Sequence, residues 1–252
     1  MTSRRSTHGD AQVSHLVVGR GLRVRVRVQG SGDALLLLNG LTRPLESWDR
    51  VADLLPDRTL VSYDAPGVGG SSTPILPVTV SMLAGLAASV LDHVGVTEAD
   101  VLGFSHGGAV AQQLAVRAST RVRRLVLAST SCGVGATLGG QSAWRAGTWD
   151  YRPWPRPDLR GLLWNSLAVS TWSSIPFLGW ITAPTLVVCG AYDRVVPPAN
   201  SALLARRIPD ARMVVLAAGH DLQRPAPAGA LVAVIEPFLA ERPGVEPAPV
   251  AR

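Results

Sequence analysis

The stretch Asp100-Val-Leu-Gly-Phe-Ser-His-Gly-Gly108 links a short apolar run to a helix-compatible run that begins at Ala109. Ser105 has a glycine two residues before it and another two residues after it, in the pattern Gly-x-Ser-x-Gly. Where a strand turns sharply into a helix, the central residue is strained, and flanking side chains would collide with neighbouring elements. The stretch therefore predicts that the Ser105 hydroxyl projects away from the backbone at the end of a strand. It would lie beside the first amide of the helix, that of His106.

Composition indicates one sizeable domain. The chain has 252 residues, of which 47% are hydrophobic, so a large core can form. Cys132 and Cys189 lie far apart and fit no metal-binding or Cys-x-x-Cys spacing, so we predict two buried thiols, no metal site and no cofactor. The net charge is +6, but every basic residue is arginine and no basic run is interleaved with aromatic residues. Nucleic acid is therefore not an expected partner.

No targeting or transmembrane segment is predicted. The first residues are polar and include Arg4 and Arg5, but no apolar segment follows them as in a secretion signal, so we expect a cytoplasmic protein. Residues 161–192 contain no charged residue, a length that could span a membrane. Because this segment contains prolines, glycines, an asparagine and a β-branched strand pattern, we interpret it as a covered lid followed by a buried strand.

Strand and helix patterns alternate along the chain. Residues 22–28 alternate arginine with apolar residues, which is typical of a half-buried strand whose arginine stripe faces solvent. Apolar runs predict further strands at 34–38, 60–63, 124–128, 184–189 and 213–216. Helical patterns occupy 80–94, 109–116, 198–207 and 227–240. This alternation predicts a doubly wound, mainly parallel sheet that binds ligands beyond the carboxyl ends of its strands.

We predict one α/β core interrupted by a small inserted lid. The core comprises residues 13–132 and 183–241, and the lid is the insertion at 133–182, where clear element patterns are scarce. Residues 1–12 are polar and residues 242–252 are proline-rich, so both ends are predicted to be disordered tails. The oligomeric state cannot be derived from these patterns.

Two further residues stand where a serine nucleophile needs partners. An unassisted serine is a weak nucleophile near neutral pH, so it needs a base, and the base needs an orienting carboxylate. Asp193 follows the strand at 184–189 and His220 follows the strand at 213–216. Both are therefore expected at the same edge, or rim, of the sheet as Ser105. Each residue alone fits an ordinary loop or turn position. The coincidence of three placements favours Ser105, His220 and Asp193 as nucleophile, base and orienting acid.

The other histidines fit the role of base less well. His8 and His15 are in or near the N-terminal tail, His93 ends a helix, and His106 abuts the serine. An oxyanion hole also needs two amides directed at the developing charge. Leu41 directly follows the end of a predicted strand, so the Leu41 and His106 amides are the predicted pair.

These motifs resemble the α/β-hydrolase superfamily across essentially the whole chain, and more narrowly the intracellular medium-chain-length polyhydroxyalkanoate depolymerases. The narrower resemblance rests on the stretches Leu-Leu-Asn-Gly-Leu at 37–41, Leu-Glu-Ser-Trp at 45–48, and residues 66–74, 107–113 and 205–211. Most superfamily members have His-Gly where this chain has Asn-Gly. The Asn-Gly pair thus supports the narrower resemblance. Two departures from that narrower family are His106, where tryptophan is expected, and a segment 133–165 that is shorter than its lid.

The resemblance implies an α/β-hydrolase sheet and a serine hydrolase of aliphatic, hydroxyacyl-type carboxylic esters, acting through a Ser-His-Asp triad and an acyl-enzyme. The expected partner is a small-molecule or oligomeric ester. The same triad would also serve a thioesterase, a lactonase or a cyclising acyltransferase of secondary metabolism. A non-catalytic ligand-binding protein of the same fold is a third hypothesis, which an intact triad disfavours.

Tryptophans are concentrated in the predicted lid. Six of the seven lie between Trp144 and Trp180. Indole rings present large apolar areas, so a cluster above the rim suits an apolar ligand, although packing of the lid onto the core explains any single ring as well. We predict that some of them line an acyl pocket, with Trp144, Trp149 and Trp172 as the candidates.

Overall fold

The computed structural model describes residues 11–139 and 158–241. Its strands are β1 (Gln12–Val18), β2 (Leu22–Gln29), β3 (Asp33–Leu38), β4 (Arg58–Tyr63), β5 (Ala99–Phe104), β6 (Val122–Ala128), β7 (Thr185–Gly190) and β8 (Ala211–Leu216). They form one sheet in the order β1-β2-β4-β3-β5-β6-β7-β8. Strand β2 pairs antiparallel with β1 and β4, whereas all other neighbours are parallel. The predicted mainly parallel α/β sheet is confirmed.

Helices cover both faces of the sheet. They are α1 (Asp49–Ala52), α2 (Val80–His93), α3 (His106–Arg117), α4 (Leu159–Ser170), α5 (Pro198–Arg207) and α6 (Pro225–Ala240). One apolar cluster joins the sheet to α2, α3 and α5, and a second joins its other face to α1 and α6. Strand side chains alternate between faces, so Leu36 and Leu38 enter the first cluster and Leu35 and Leu37 the second. Burial on both faces explains the uninterrupted apolar run of β3.

The parallel strands bring distant segments of the chain to one edge of the sheet. Strands β3, β5, β6, β7 and β8 are parallel to one another, so their carboxyl ends share this edge. Ser105 follows β5, Asp193 follows β7 and His220 follows β8. The topology therefore collects at one rim the three residues that the sequence separates widely.

The uncharged segment 161–192 contains several elements. It comprises most of α4, a 3-10 helix at Ile175–Trp180 and the buried strand β7. Within residues 11–139 and 158–241, none of the helices has the length and apolar character needed to cross a membrane. The absence of charge in β7 follows from its burial in the sheet, because all its residues are buried.

Cys132 and Cys189 are buried free thiols, as predicted. Burial disfavours the charged thiolate and raises the pKa of both side chains. Neither cysteine therefore has the character of a reactive nucleophile.

Strand β1 was not predicted. It begins at Gln12, which the sequence places in the N-terminal tail, and it pairs along its length with β2, from Gln12 opposite Val28 to Val18 opposite Leu22. The signal is weak because β1 is an edge strand, with Val13 and Val17 largely exposed. Residues 1–10 lie outside the described part of the chain, so a disordered tail there stays a prediction.

The prediction that the arginine stripe of β2 faces solvent holds for Arg23, which is exposed, but it is wrong for Arg25 and Arg27, which are partly buried. Arg25 pairs with Asp64 at 2.6 Å and with Glu46 at 2.8 Å, and Arg27 pairs with Asp49 at 2.7 Å. The loop after β4 supplies Asp64, a 3-10 helix at Leu45–Trp48 supplies Glu46, and α1 supplies Asp49. A strand-period pattern cannot anticipate these partners.

Candidate active site

Ser105 occupies the sharp turn between β5 and α3. Its backbone has φ 53° and ψ −116°, and positive φ is uncommon for a residue with a side chain. The two flanking positions must be glycine because neighbouring backbone leaves no room for a Cβ atom. A Cβ on Gly103 would lie 2.6 Å from the Gly107 carbonyl oxygen, and a Cβ on Gly107 would lie 2.1 Å from the Leu38 carbonyl oxygen. The turn at Ser105, here called the elbow, can therefore bring α3 against β5 and β3 only when these two positions carry no side chain.

Hydrogen bonds from β6, from the residues after it and from α3 support this turn. The Ser105 amide donates to the Ala128 carbonyl oxygen at 2.9 Å, at the end of β6. The Ser105 carbonyl oxygen accepts from the Gly108 amide at 2.9 Å and from the Thr130 hydroxyl at 2.7 Å. Both polar backbone groups of the strained residue are thus satisfied, which holds the turn in one conformation.

His220 bridges Ser105 and Asp193. Its Nε2 lies 3.1 Å from the Ser105 Oγ, and its Nδ1 lies 2.8 Å from the Asp193 Oδ2. Because a carboxylate can only accept, Nδ1 carries the proton and donates to Asp193, which leaves Nε2 to accept from the serine hydroxyl. The structure therefore brings together the three residues that the sequence singled out, in hydrogen-bonding order.

The Asp193 carboxylate is held from two sides. Its side chain is fully buried, and its second oxygen, Oδ1, accepts from the Val195 amide at 2.9 Å and the Val196 amide at 2.8 Å. The His220 ring also packs against the Phe104 ring, with centroids 5.3 Å apart. These contacts restrict the orientation of the imidazole.

Asp221 is the carboxylate next to His220 in sequence, but it points elsewhere. It accepts from Arg43 at 2.7 Å and from Arg224 at 3.1 Å. Adjacent residues in an extended loop direct their side chains apart, which agrees with this arrangement. Of these two carboxylates, Asp193 is therefore the one that contacts the imidazole.

Two backbone amides are available beside Ser105. Leu41 follows the end of β3 in a turn closed by a hydrogen bond from the Arg43 amide to the Gly40 carbonyl oxygen at 3.2 Å. His106 is the first residue of α3. Leu41, Ser105 and His106 line the same cavity, so the pair of amides is compatible with an oxyanion hole, which stays a prediction.

A cavity of about 720 Å³ opens beside Ser105 and His220. The rim loops, the segment 133–139 and helix α4 form its walls. Apolar side chains in these walls are Leu41, Phe104, Val134, Ala136, Leu138, Val169, Val195 and Val196. The volume falls in the range that small-molecule sites commonly have.

Several polar residues of the wall use their hydrogen-bonding groups within the protein. The Asn200 side chain exchanges two hydrogen bonds with the Thr137 backbone, at 2.8 and 2.9 Å. The Ser170 hydroxyl donates to the Ser166 carbonyl oxygen at 2.7 Å, and the Thr130 hydroxyl is bonded within the elbow. The cavity therefore presents mainly apolar surface away from the serine.

The tryptophan prediction needs correction at Trp172. This residue does not line the cavity: its indole Nε1 donates to the Gln113 Oε1 at 2.8 Å, and its ring packs against Phe177. An indole N–H seeks a partner when buried, and the acceptor on α3 directs the ring to the core. The other two candidates, Trp144 and Trp149, lie outside the described residues.

The aliphatic wall from Val134 to Leu138 was missed, because the segment has no periodic pattern. Its position depends on contacts distant in sequence. The Val134 amide donates to the Trp172 carbonyl oxygen at 2.7 Å, and Thr137 is held by Asn200. No local signal could have identified it.

His106 does not compete with His220 as a base. It is 7% exposed, and burial lowers the pKa of its imidazole to about 4, with a partial offset from a hydrogen bond to the Asn165 backbone. The ring is therefore neutral near pH 7. Among the residues that the structure describes, no group of three or more His, Cys, Asp or Glu side chains is arranged to hold a metal ion.

The chain matches the family described as alpha/beta hydrolase fold over residues 33–152 and 155–227. It therefore belongs to the α/β-hydrolase family, as the sequence motifs predicted, and it is a hydrolase. A poly(3-hydroxyalkanoate) depolymerase from Ectopseudomonas oleovorans is 33% identical over 218 residues, which cover 74% of this chain and 77% of that protein. The protein named 3-oxoadipate enol-lactonase 2 from Acinetobacter baylyi is 27% identical over 222 residues, covering 76% of this chain and 83% of that one.

Solved structures agree with this assignment. A hydrolase from Pseudomonas aeruginosa PA01 superposes with a TM-score of 0.76 at 30% identity, covering 89% of this chain and 98% of the other. An enol-lactonase from Burkholderia xenovorans LB400 superposes with a TM-score of 0.79 at 26% identity, covering 90% and 100%. The similarity thus extends over nearly the whole fold and includes the elements that carry the rim.

The glycine requirement of the elbow can be tested directly. Gly107→Ala is expected to lower the free energy of unfolding by about 2 kcal/mol or more, because the added methyl meets a backbone oxygen that cannot move alone. Gly85→Ala is the matched control in α2, where a Cβ meets nothing within 4 Å; it should raise stability by about 0.5–1 kcal/mol. Urea unfolding measures both, and equal stability of the two variants would contradict the described packing.

Proposed function

We propose that this hydrolase cleaves aliphatic, hydroxyacyl-type carboxylic esters through an acyl-enzyme on Ser105. The observation that carries the proposal is the pair of hydrogen bonds made by His220, at 3.1 Å to Ser105 and 2.8 Å to Asp193, at the mouth of an apolar cavity. Similarity to a poly(3-hydroxyalkanoate) depolymerase supports the ester class.

The proposed reaction has two halves. The Ser105 Oγ attacks the ester carbonyl carbon while His220 Nε2 takes the hydroxyl proton, and Asp193 stabilises the imidazolium that forms. The amides of Leu41 and His106 donate to the oxyanion of the tetrahedral intermediate. The intermediate collapses, and His220 gives the proton to the departing alkoxide, which leaves as the alcohol.

The second half of the reaction regenerates the enzyme. Water attacks the acyl-Ser105 carbonyl carbon and gives its proton to His220 Nε2. When the second tetrahedral intermediate breaks down, the proton passes to the Ser105 Oγ and the carboxylic acid is released. One ester and one water become one alcohol and one acid, with no cofactor consumed.

The cavity wall supports an aliphatic acyl group. Val134, Leu138, Val169, Val195 and Val196 contribute apolar surface, and nearby polar groups are bonded to the protein. A methylene moved from water into such a wall contributes about 0.8 kcal/mol. Chain length should therefore determine specificity until the cavity is full.

A lactone is the second candidate substrate. Two proteins named as enol-lactonases are 27% and 26% identical to this chain and cover most of it. A lactone needs the same nucleophile and oxyanion amides, but its alcohol stays tethered to the acyl group. Turnover of an aliphatic lactone above that of the matched linear ester, measured as kcat/KM, would favour this candidate.

The nucleophile is tested by covalent labelling. A fluorophosphonate should add one adduct per chain, because the activated serine displaces fluoride, and the Ser105→Ala variant should remain unlabelled. Intact-protein mass spectrometry gives the count and peptide mapping gives the position. Unchanged labelling of Ser105→Ala would rule out Ser105.

The orienting carboxylate is tested by two matched amide substitutions. Asp193→Asn should lower kcat by about 1,000-fold or more, because the amide favours the wrong tautomer of His220 and no longer stabilises the imidazolium. Asp221→Asn should lower kcat by no more than about tenfold, since Asp221 contacts arginines rather than the imidazole. Circular dichroism controls for folding. A larger loss in Asp221→Asn would reverse the assignment.

Chain-length specificity tests the acyl pocket. The value of kcat/KM should rise by at least about tenfold from p-nitrophenyl butyrate to the octanoate or decanoate. This factor is smaller than full transfer of the added methylenes from water would give, because their burial is incomplete. Val169→Phe, on the cavity wall, should remove this rise while keeping butyrate turnover. Leu167→Phe, on the exposed side of α4, is the matched control and should keep the rise. A flat profile in the native enzyme would exclude the aliphatic preference.

A further inference from the structure

A buried amide pair joins two rim loops that carry different parts of the proposed machinery. The Gln223 Nε2 donates to the Asn39 Oδ1 at 2.8 Å. Asn39 precedes the turn that holds Leu41, and Gln223 follows His220 in the loop after β8. These two side chains are 9% and 4% exposed, and they are separated by 184 positions in the chain.

Asn39 also fixes the shape of its own loop. Its Nδ2 donates to the Pro44 carbonyl oxygen at 2.8 Å, which closes the loop around Leu41. Its Oδ1 accepts a second hydrogen bond from the Ser47 hydroxyl at 2.8 Å. Because the Pro44 carbonyl can only accept, the amide nitrogen of Asn39 must face it, and the oxygen must face Ser47 and Gln223.

The pair links atoms that must keep a fixed separation during the reaction. The Leu41 amide donates to the oxyanion, while His220 moves protons to and from oxygens bonded to the same carbon. Both residues lie in irregular segments beyond β3 and β8, where no ladder hydrogen bonds join the two loops. Displacements of about 1 Å at such positions can reduce a rate by about 100-fold.

A second contact joins the same loops closer to solvent. The Arg43 guanidinium, two residues beyond Leu41, pairs with Asp221 at 2.7 Å. The Arg43 and Asp221 side chains are 16% and 15% exposed, so this ion pair is largely shielded from solvent and gives the two loops a second link.

We infer that Asn39 and Gln223 are positioning residues, which set the Leu41 amide against His220 so that the oxyanion and the proton acceptor act on one carbonyl group. This inference rests on the proposed function. Neither Asn39 nor Gln223 is proposed to contact the substrate. Both act through Leu41 and His220, whose positions they fix.

Gln223→Met is the sharpest test because it cuts the bridge without leaving a new unsatisfied group. Asn39 Oδ1 keeps its bond from Ser47, and the buried Gln223 Oε1, which lacks a hydrogen-bond partner among the described residues, is removed. With p-nitrophenyl octanoate, kcat should fall by about tenfold or more while KM changes by less than about twofold. Affinity for an octyl trifluoromethyl ketone, which forms a tetrahedral adduct, should fall by the same factor as kcat.

Thr185→Val is the matched control. Thr185 is buried at the amino end of β7 and donates to the Ala183 carbonyl oxygen at 2.8 Å, so the variant loses one buried hydrogen bond far from the rim. It should lower the melting temperature at least as much as Gln223→Met but keep kcat and ketone affinity. Gln223→Leu serves as the second bridge-cutting variant if Gln223→Met does not fold.

The outcomes separate the inference from the proposed function. Native enzyme that neither turns over the ester nor accepts the fluorophosphonate would overturn the proposed function. Active native enzyme, with a folded Gln223→Met or Gln223→Leu that keeps kcat within twofold, would overturn the positioning role alone. A rise in KM at unchanged kcat would also overturn it, because that pattern reports lost substrate binding.

Discussion

The left-handed backbone of Ser105 is the constraint on which the rest of the rim depends. A residue held in such a conformation costs of order 1–3 kcal/mol, so the surrounding structure must enforce it. Here Ala128 at the end of β6 accepts from the Ser105 amide, and Thr130 and Gly108 donate to the Ser105 carbonyl oxygen. The side-chain-free Gly107 lets α3 approach the Leu38 backbone. One turn thereby places a hydroxyl and a helix-terminal amide at the same cavity.

The parallel sheet brings His220 and Asp193 next to Ser105, which the elbow alone cannot do. The hydrogen bond from Ser105 to His220 spans 115 positions, and only the shared carboxyl edge of β5 and β8 makes it short. The loop after β7 contributes in two ways. Asp193 accepts hydrogen bonds from the His220 imidazole and from the Val195 and Val196 amides. Val195 and Val196 also line the cavity. In the proposed mechanism, proton transfer and acyl recognition therefore depend on one short loop.

Sequence patterns predicted the features that depend on local structure. The elbow needs glycines at fixed offsets, and buried parallel strands need uninterrupted apolar runs, so the position of Ser105 and the ranges of the buried strands could be read directly. Asp193 and His220 could be placed because residues after parallel strands share an edge. Their mutual distances required the structure.

Features that depend on long-range partners could not be predicted. Trp172 belongs to an aromatic-rich segment, but the acceptor that turns its ring inward, Gln113, lies on another helix. Arg25 lies in a strand with the pattern of a solvated face, yet Asp64 from the loop after β4 binds it. Asn39 and Gln223 are ordinary loop amides until the fold brings them together. The spacing of apolar residues and the secondary-structure propensities carry no information about partners that are distant in the chain.

The central claim is that ester cleavage passes through an acyl group on Ser105. Acid-quenched mass spectrometry during the first turnover of p-nitrophenyl octanoate tests it most directly, since acid stops hydrolysis of the intermediate. We expect one octanoyl adduct per chain, on the peptide that contains Ser105, appearing together with a burst of p-nitrophenol. Steady ester turnover with no covalent adduct, or with the acyl group on another residue, would contradict the claim.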